Sequence, residues 1–207
     1  MPGTILVIGA TGTIGSAIVQ ELERDSTVIP ASRTSGEHVD IADPDSIQSL
    51  LARVEDQHGE LDGIISAAGG GVVDAIADMD LGKFLPGLQT KLLGQVALVK
   101  HGCRIVRPSG AIVLTSGLLA EHPMPRMSHL SVINSALSGF VRSAATECDP
   151  VRICAVSPGL VNESPQVVLD LFEGMSRIGA ADLATVYRQA LENGRSGTTF
   201  EAFGDSH

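Results

Sequence analysis

A chain of 207 residues fits one compact domain with a single buried core, since chains split into several domains only beyond roughly 250 residues. With 43% hydrophobic and 18% charged residues it is too apolar for disorder, and a formal charge of -10 with no basic cluster argues against nucleic acid or an anionic membrane as partner. Five Phe, one Tyr and no Trp leave an aliphatic core, which suits a parallel sheet covered by helices on both faces.

Cys103, Cys148 and Cys154 lie in apolar stretches without metal-ligand spacing, so reduced thiols in a cytoplasmic protein are expected, and no metal site. No apolar run reaches the roughly 18 residues of a membrane span, and the N-terminus runs straight into a strand pattern. A soluble, unprocessed chain is the expectation.

In chain order, an aliphatic strand over 4–8 leads into a helix over 13–24. Strands at 27–31 and 38–41 precede a helix over 44–57, for which Asp43 and Pro44 are an apt cap and first-turn pair. A strand at 62–67, a helix at 82–102, a strand at 110–115, a helix at 129–147, a strand at 151–156, a helix at 180–193 and a strand at 198–203 complete the pattern. This alternation predicts an α/β fold, a single Rossmann-type doubly wound domain spanning 1–207 with about seven parallel strands flanked by helices on both faces. The irregular stretches 69–80, 117–128 and 157–178 each follow a strand, and in an open parallel sheet such carboxyl-end loops surround the ligand crevice.

Gly9, Ala10, Thr11, Gly12, Thr13, Ile14 and Gly15 follow the first strand and open the first helix, where a tight turn lets a pyrophosphate approach backbone N–H groups. Thr11 and Thr13 offer hydroxyl donors to the same phosphates. The second strand ends in Ser32, Arg33 and Thr34, with no carboxylate for a ribose 2′-hydroxyl. A guanidinium flanked by hydroxyls matches a 2′-phosphate, so NADP(H) is expected in preference to NAD(H).

These motifs resemble those of the short-chain dehydrogenase/reductase family. Gly9 to Gly15 is similar to its glycine motif, Asp40-Ile41 to its adenine-contacting pair, and Ser66-Ala67-Ala68-Gly69 to its Asn-Asn-Ala-Gly strand end. Ser116 falls where the family carries its catalytic Ser, and Pro158-Gly159, with Val161 beyond, matches the turn beside the nicotinamide. The resemblance implies cofactor contacts from Ala67, Ala68 and Gly69 as well. Only residues 32–37 separate the second and third strands, so the usual intervening helix must be missing.

The family's catalytic Tyr and the Lys four residues later do not appear. Asn134 to Phe140 resembles the helix segment that begins with that Lys, which puts Asn134 at the Lys position and Leu130 at the Tyr position. No Tyr-x-x-x-Lys occurs anywhere, and Tyr187 in the last helix cannot replace the lost one. Lys91 opens a stretch that resembles the family's Asn-bearing helix, so Lys and Asn have exchanged places across the site. Candidate catalytic residues are therefore Ser116 as a donor to substrate oxygen, Lys91 at the ribose or substrate oxygen, and His129 as an imidazole for proton transfer, with Asn134 beside them. His122 ranks lower.

The expected function is an NADP(H)-dependent oxidoreductase acting on a carbonyl or alcohol of a small molecule. The alternatives are a non-redox enzyme of the same fold (dehydratase, isomerase or cyclase) and a non-catalytic NADP(H)-binding protein. A homodimer or homotetramer is expected through the helices at 82–102 and 129–147, the second with Ser131, Ser135, Ser138 and Gly139 at helical spacing.

Overall fold

The computed structural model describes residues 3–204, so residues 1–2 and 205–207 of the expected domain lie outside it. Its strands are β1 (Thr4–Ile8), β2 (Thr27–Ser32), β3 (Glu37–His38), β4 (Leu61–Ser66), β5 (Val106–Thr115), β6 (Arg152–Pro158), β7 (Leu160–Val161), β8 (Arg177–Ile178) and β9 (Thr199–Ala202). Seven of them form the main sheet in the order β3-β2-β1-β4-β5-β6-β9, and each neighbouring pair is parallel.

Alternation along the strands divides the core in two. Leu6, Ile8, Ile64, Ile112 and Ile153 face α2 (Pro44–His58), α4 (Gly94–Gly102) and α5 (Ser128–Ala144), whose Leu50, Leu98 and Leu137 are fully buried. Ile5, Val7, Ile65, Val113 and Val156 face α1 (Thr13–Leu22) and α7 (Ala180–Asn193), whose Ile18, Leu183 and Tyr187 close the other side. The helices on both faces match the expectation. Asp43 caps α2 by accepting from the Asp45 N–H at 3.0 Å, with Pro44 in the first turn.

The expected loss of a helix between the second and third strands is real. Residues 33–36 alone carry the chain from β2 to β3, which nonetheless pair in parallel, Ala31 with Glu37 and Ser32 with His38. Gly36 permits the hop: its φ is +68°, and a Cβ there would collide with the Pro30 carbonyl.

Most boundaries move by one to three residues, and four stretches depart further from the sequence expectation. The strand expected at 38–41 shortens to two residues, and the strand expected at 110–115 starts at Val106, with a register shift between Leu61 and Gly63 of its neighbour. The single helix expected over 82–102 is three pieces: α3 (Leu81–Gly87), a π-helical turn over Leu88–Leu93, and α4. Pro86 inside α3 withholds an N–H and favours that break. The stretch 157–178 holds β7, α6 (Gln166–Leu171) and β8, with β7 and β8 forming a small ladder of their own. Leu118, Leu119, Met127, Leu160, Leu169 and Phe172 make a third apolar cluster under these loops.

Candidate functional site

The carboxyl ends of β1, β2 and β4 open into a crevice of about 400 Å³, at the point where the strand order reverses. Its walls include Gly9, Thr11, Gly12, Ser32, Arg33, Asp40, Ile41, Ala67, Ala68, Gly69, Gly70 and Thr90.

Glycine geometry builds the first wall. Gly9 has a φ of +83°, and a Cβ on it would lie 2.8 Å from the Ala67 carbonyl carbon. A Cβ on Gly15 would run into the Gly9 carbonyl, so α1 can start this close to β1 only without a side chain. Gly12 caps α1 with no side-chain hydrogen bond, which leaves first-turn amides of a ten-residue helix free to meet an anion.

The second wall is polar. Arg33 is exposed and forms no ion pair among the described residues, so its charge is available to the crevice. Ser32 is buried and bonds locally. Its Oγ accepts from the N–H groups of Thr34 and Ser35 and donates to the Ser35 carbonyl at 2.6 Å. The expected hydroxyl pair around Arg33 is therefore a folded turn that presents Arg33. Asp40 Oδ1 accepts from the Ala42 N–H at 3.0 Å, beside Ile41.

Several expected contacts stand elsewhere. Thr13 lines a separate groove of about 450 Å³ with Glu163 and Ala180, and Ile14 packs on the α1–α7 core. Gly15 shapes the turn from behind. Pro158 ends β6, the Gly159 N–H donates to the Ala202 carbonyl at 2.9 Å, and Val161 is buried in β7; none of them lines the crevice.

Beyond Gly69 lie the candidate reacting groups. Ser116, fully buried at the end of β5, donates from Oγ to the Asn134 carbonyl at 3.0 Å. Asn134 is buried too. Its Oδ1 lacks a hydrogen-bond partner, and its side-chain amide packs so closely on Gly117 that a Cβ there would sit 2.7 Å from Nδ2. Ser116 and Asn134 are thus in contact.

Lys91 is 9% exposed, and its ammonium has no hydrogen bond or ion pair among the described residues. Burial pushes its pKa down to about 8. Gly69, at φ +105°, lies against it, since a Cβ there would be 2.8 Å from the Lys91 Cα. One turn on, Gln95 Nε2 donates to the Lys91 carbonyl at 2.7 Å and to the Thr115 carbonyl at 3.0 Å, while Oε1 accepts from the Thr115 N–H at 2.8 Å. The Lys91 backbone is thereby tied to the residue before Ser116.

His129 does not have the freedom that its place in the sequence suggests. Its Nδ1 accepts from the Val72 N–H at 2.7 Å, which makes Nε2 the protonated nitrogen, 2.9 Å from the Phe84 carbonyl that it donates to. Both nitrogens are spent on holding the loop after β4 to α3, so no ring atom is left for substrate chemistry. Leu130 packs on Gly71, where a Cβ would collide with it, and belongs to the apolar cluster.

Sequence reasoning missed two polar anchors. Tyr187 is fully buried with its hydroxyl 2.7 Å from Thr115 Oγ1, which also donates to the Ser66 carbonyl. It braces the end of β5 from beneath, and burial raises its pKa. Gln95 clamps the same strand end from the other face. A polar residue at a helical core position is the signal available in sequence for either.

Among the described residues no group of three or more His, Cys, Asp or Glu is arranged to hold a metal, and no helix is long and apolar enough to cross a membrane. The three cysteines are free.

Comparison with known proteins agrees with this architecture. The model of the enoyl-(acyl carrier protein) reductase family matches residues 9–182. Versicolorin reductase of Emericella nidulans is 29% identical over 195 residues, covering 83% of this chain and 72% of its own. An enoyl-[acyl-carrier-protein] reductase [NADH] of Rickettsia bellii is 26% identical over 171 residues, covering 80% of this chain and 65% of its own. Among solved structures, the protein lin1944 of Listeria innocua superposes with a TM-score of 0.89 at 33% identity over 97% of this chain and 99% of that one. A small-chain dehydrogenase in complex with NADPH gives 0.86 at 27% identity over 99% and 98%. With the parallel sheet, the glycine turn and the strand-end crevice in place, the chain belongs to the short-chain dehydrogenase/reductase family of oxidoreductases.

Proposed function

We propose that the chain is an NADP(H)-dependent oxidoreductase acting on a carbonyl or alcohol of a small molecule, with an active site in which Lys91, Ser116 and Asn134 take the place of the family's Tyr-x-x-x-Lys. The observation that carries the cofactor choice is the unpaired, exposed Arg33 on the crevice wall, at a strand end without a carboxylate. A guanidinium there complements a 2′-phosphate and gives a bare ribose nothing to accept a hydroxyl proton. The small-chain dehydrogenase similar to this chain holds NADPH, in agreement, whereas the Rickettsia bellii relative is named for NADH.

The residues present fit a dinucleotide. Gly9, Thr11 and Gly12, with the free amides of α1, would hold its pyrophosphate; Arg33 would hold the 2′-phosphate; Asp40 and Ile41 would flank the adenine, and Ala67 to Gly69 would pass beneath the ribose. When bound, the nicotinamide supplies or removes a hydride at the substrate carbon. Ser116, buried against Asn134, orients the substrate oxygen, and the apolar cluster around Leu119, Leu130 and Leu160 keeps water away from it. In the cell this reading is of a cytoplasmic enzyme. A homodimer or homotetramer belongs to the same reading, with Leu93 and Val132 exposed on the π-helical turn and α5, at 55% and 49%, as candidate contacts.

Titration of the protein with NADPH and NADH by nicotinamide fluorescence tests the reading. NADPH is expected to bind more tightly, and Arg33→Ala to remove most of the difference, about 1–3 kcal/mol for a charge-assisted contact. Equal affinities in the parent protein at physiological salt contradict it.

A further inference from the structure

We propose that Lys91 is the acid that protonates the substrate oxygen during carbonyl reduction, and the base that takes the proton back in alcohol oxidation. The proposal rests on the oxidoreductase reading above.

Among the described residues the other proton-donor candidates are committed elsewhere: His122, in the loop after β5, packs edge-on against Phe203 with ring centroids 5.3 Å apart. His129 has both nitrogens committed to Val72 and Phe84, Tyr187 is sealed beneath β5 with its hydroxyl on Thr115, and Leu130 is apolar. Ser116 is an alcohol that does not ionise near neutral pH, so it orients the substrate oxygen without giving up a proton of its own. Lys91 remains.

Three features place it. Contact with Gly69 puts its side chain at the end of β4, where the crevice wall continues through Gly69 and Gly70. The Gln95 clamp ties its backbone to Thr115, one residue before Ser116. The π-helical turn over Leu88–Leu93 carries it, and such turns are a frequent feature of functional sites.

A lysine this buried would ordinarily be paired, because leaving an unpaired ammonium out of water is costly. No carboxylate among the described residues answers it. On the surrounding elements Lys83 of α3 and Lys100 of α4 are exposed, His101 lies at the far end of α4, and Asp40 turns Oδ1 to the Ala42 N–H. Desolvation alone acts on the amine and lowers its pKa to about 8. At neutral pH it is therefore a charged donor that gives up its proton far more readily than an exposed lysine, which suits general acid catalysis near pH 7.

The step balances. As a hydride from a reduced nicotinamide bonds to the carbonyl carbon, the C=O π pair moves to oxygen, and that oxygen takes a proton from Nζ. An alcohol, a neutral amine and the oxidised form of the hydride donor result, and one H⁺ taken up from the bulk solvent restores the ammonium.

Two measurements test this on the full chain. In the first, the chain's three lysines are followed by ¹³Cε NMR across pH, with Lys91 assigned by its absence in Lys91→Arg. One resonance, that of Lys91, is expected to titrate near 8, below the ordinary range of a lysine. In the complex with oxidised NADP it should titrate lower than in the complex with NADPH, because only the oxidised ring is positively charged. A Lys91 that titrates with the other two, or that is indifferent to the redox state of the ring, overturns the proposal.

In the second, NADPH-dependent reduction of 4-nitrobenzaldehyde is followed from pH 6 to 10. The kcat is expected to fall above about pH 8. Lys91→Met should lose that limb and about 10²-fold or more in kcat with NADPH affinity within a few-fold of the parent. Lys91→Arg separates acid from charge: arginine keeps the positive donors but does not release a proton, so it should be as slow as Met. An active arginine variant, or loss of NADPH binding in the methionine variant, assigns Lys91 to electrostatics or ribose holding and overturns the proposal. Failure of the parent to bind NADPH strikes the functional reading instead.

Discussion

The two ends of the candidate site are built on different materials. At the nucleotide end, around β1, β2 and α1, the shape comes from backbone: positive φ at Gly9, the missing Cβ at Gly15, and uncapped amides. At the end that holds the candidate reacting groups, around the ends of β4 and β5 and beyond the crevice wall, the packing comes from side chains: Lys91, Gln95, Ser116, His129 and Asn134. Under the proposed function, this contrast is the reason one end keeps the family's pattern while the other departs from it. A backbone cradle tolerates almost no change at its glycines, whereas side-chain chemistry can be reassigned among neighbouring positions once the same few ångströms of space are shared.

The backbone end should fail most sharply at Gly15. Gly15→Val drives a branched side chain into the Gly9 carbonyl, so NADPH affinity should fall by about 100-fold or more, roughly 3 kcal/mol, by fluorescence titration. Unchanged affinity would mean that the amides of α1 do not form the anion site.

At the reacting end the largest stability effect should come from Lys91, with the opposite sign. Its pKa is lowered from 10.5 to about 8 in the folded chain, so between those values the unfolded chain binds more protons. The charged, desolvated lysine thus destabilises the fold fully below pH 8, and the penalty fades as pH rises to 10.5. Lys91→Met should raise the unfolding free energy at pH 7 by about 3 kcal/mol in denaturant, and the gain should shrink across that window. A gain that is flat with pH would show the amine to be solvated.

His129 gives the smallest and most local effect. Replacing it by Leu removes both anchors of the loop and should cost about 2 kcal/mol, with faster hydrogen exchange at the Val72 amide but little change in NADPH affinity. A large loss of binding would join the two ends that the structure separates.

What was legible in sequence follows the same division. The glycine turn, the β2 end with Arg33 and the alternating strands are encoded within a few consecutive residues, so local pattern suffices for them. Burial of Lys91 and the double hydrogen bond of His129 depend on Gly69, Val72 and Phe84, brought in by chain that is distant in sequence, and residue type at those positions carries no trace of it. The early start of β5 is hidden by Pro108, Ser109 and Gly110, which look like a turn although the strand runs through them, with Ser109 at φ +69°. The split of the expected 82–102 helix turns on hydrogen-bond register, to which the apolar periodicity is nearly blind.

That π-helical turn has an evolutionary side. A wide turn arises when an α-helix gains a residue, and point substitutions, which exchange side chains one at a time, leave the number of residues between Gly87 and Gly94 as it is. Rewinding the segment to an α-helix takes a deletion, and one residue of rewinding turns every side chain beyond it by about 100° around the axis. The direction in which Lys91 leaves its helix is thus inherited as a length of chain, and it can persist while the residues around it drift.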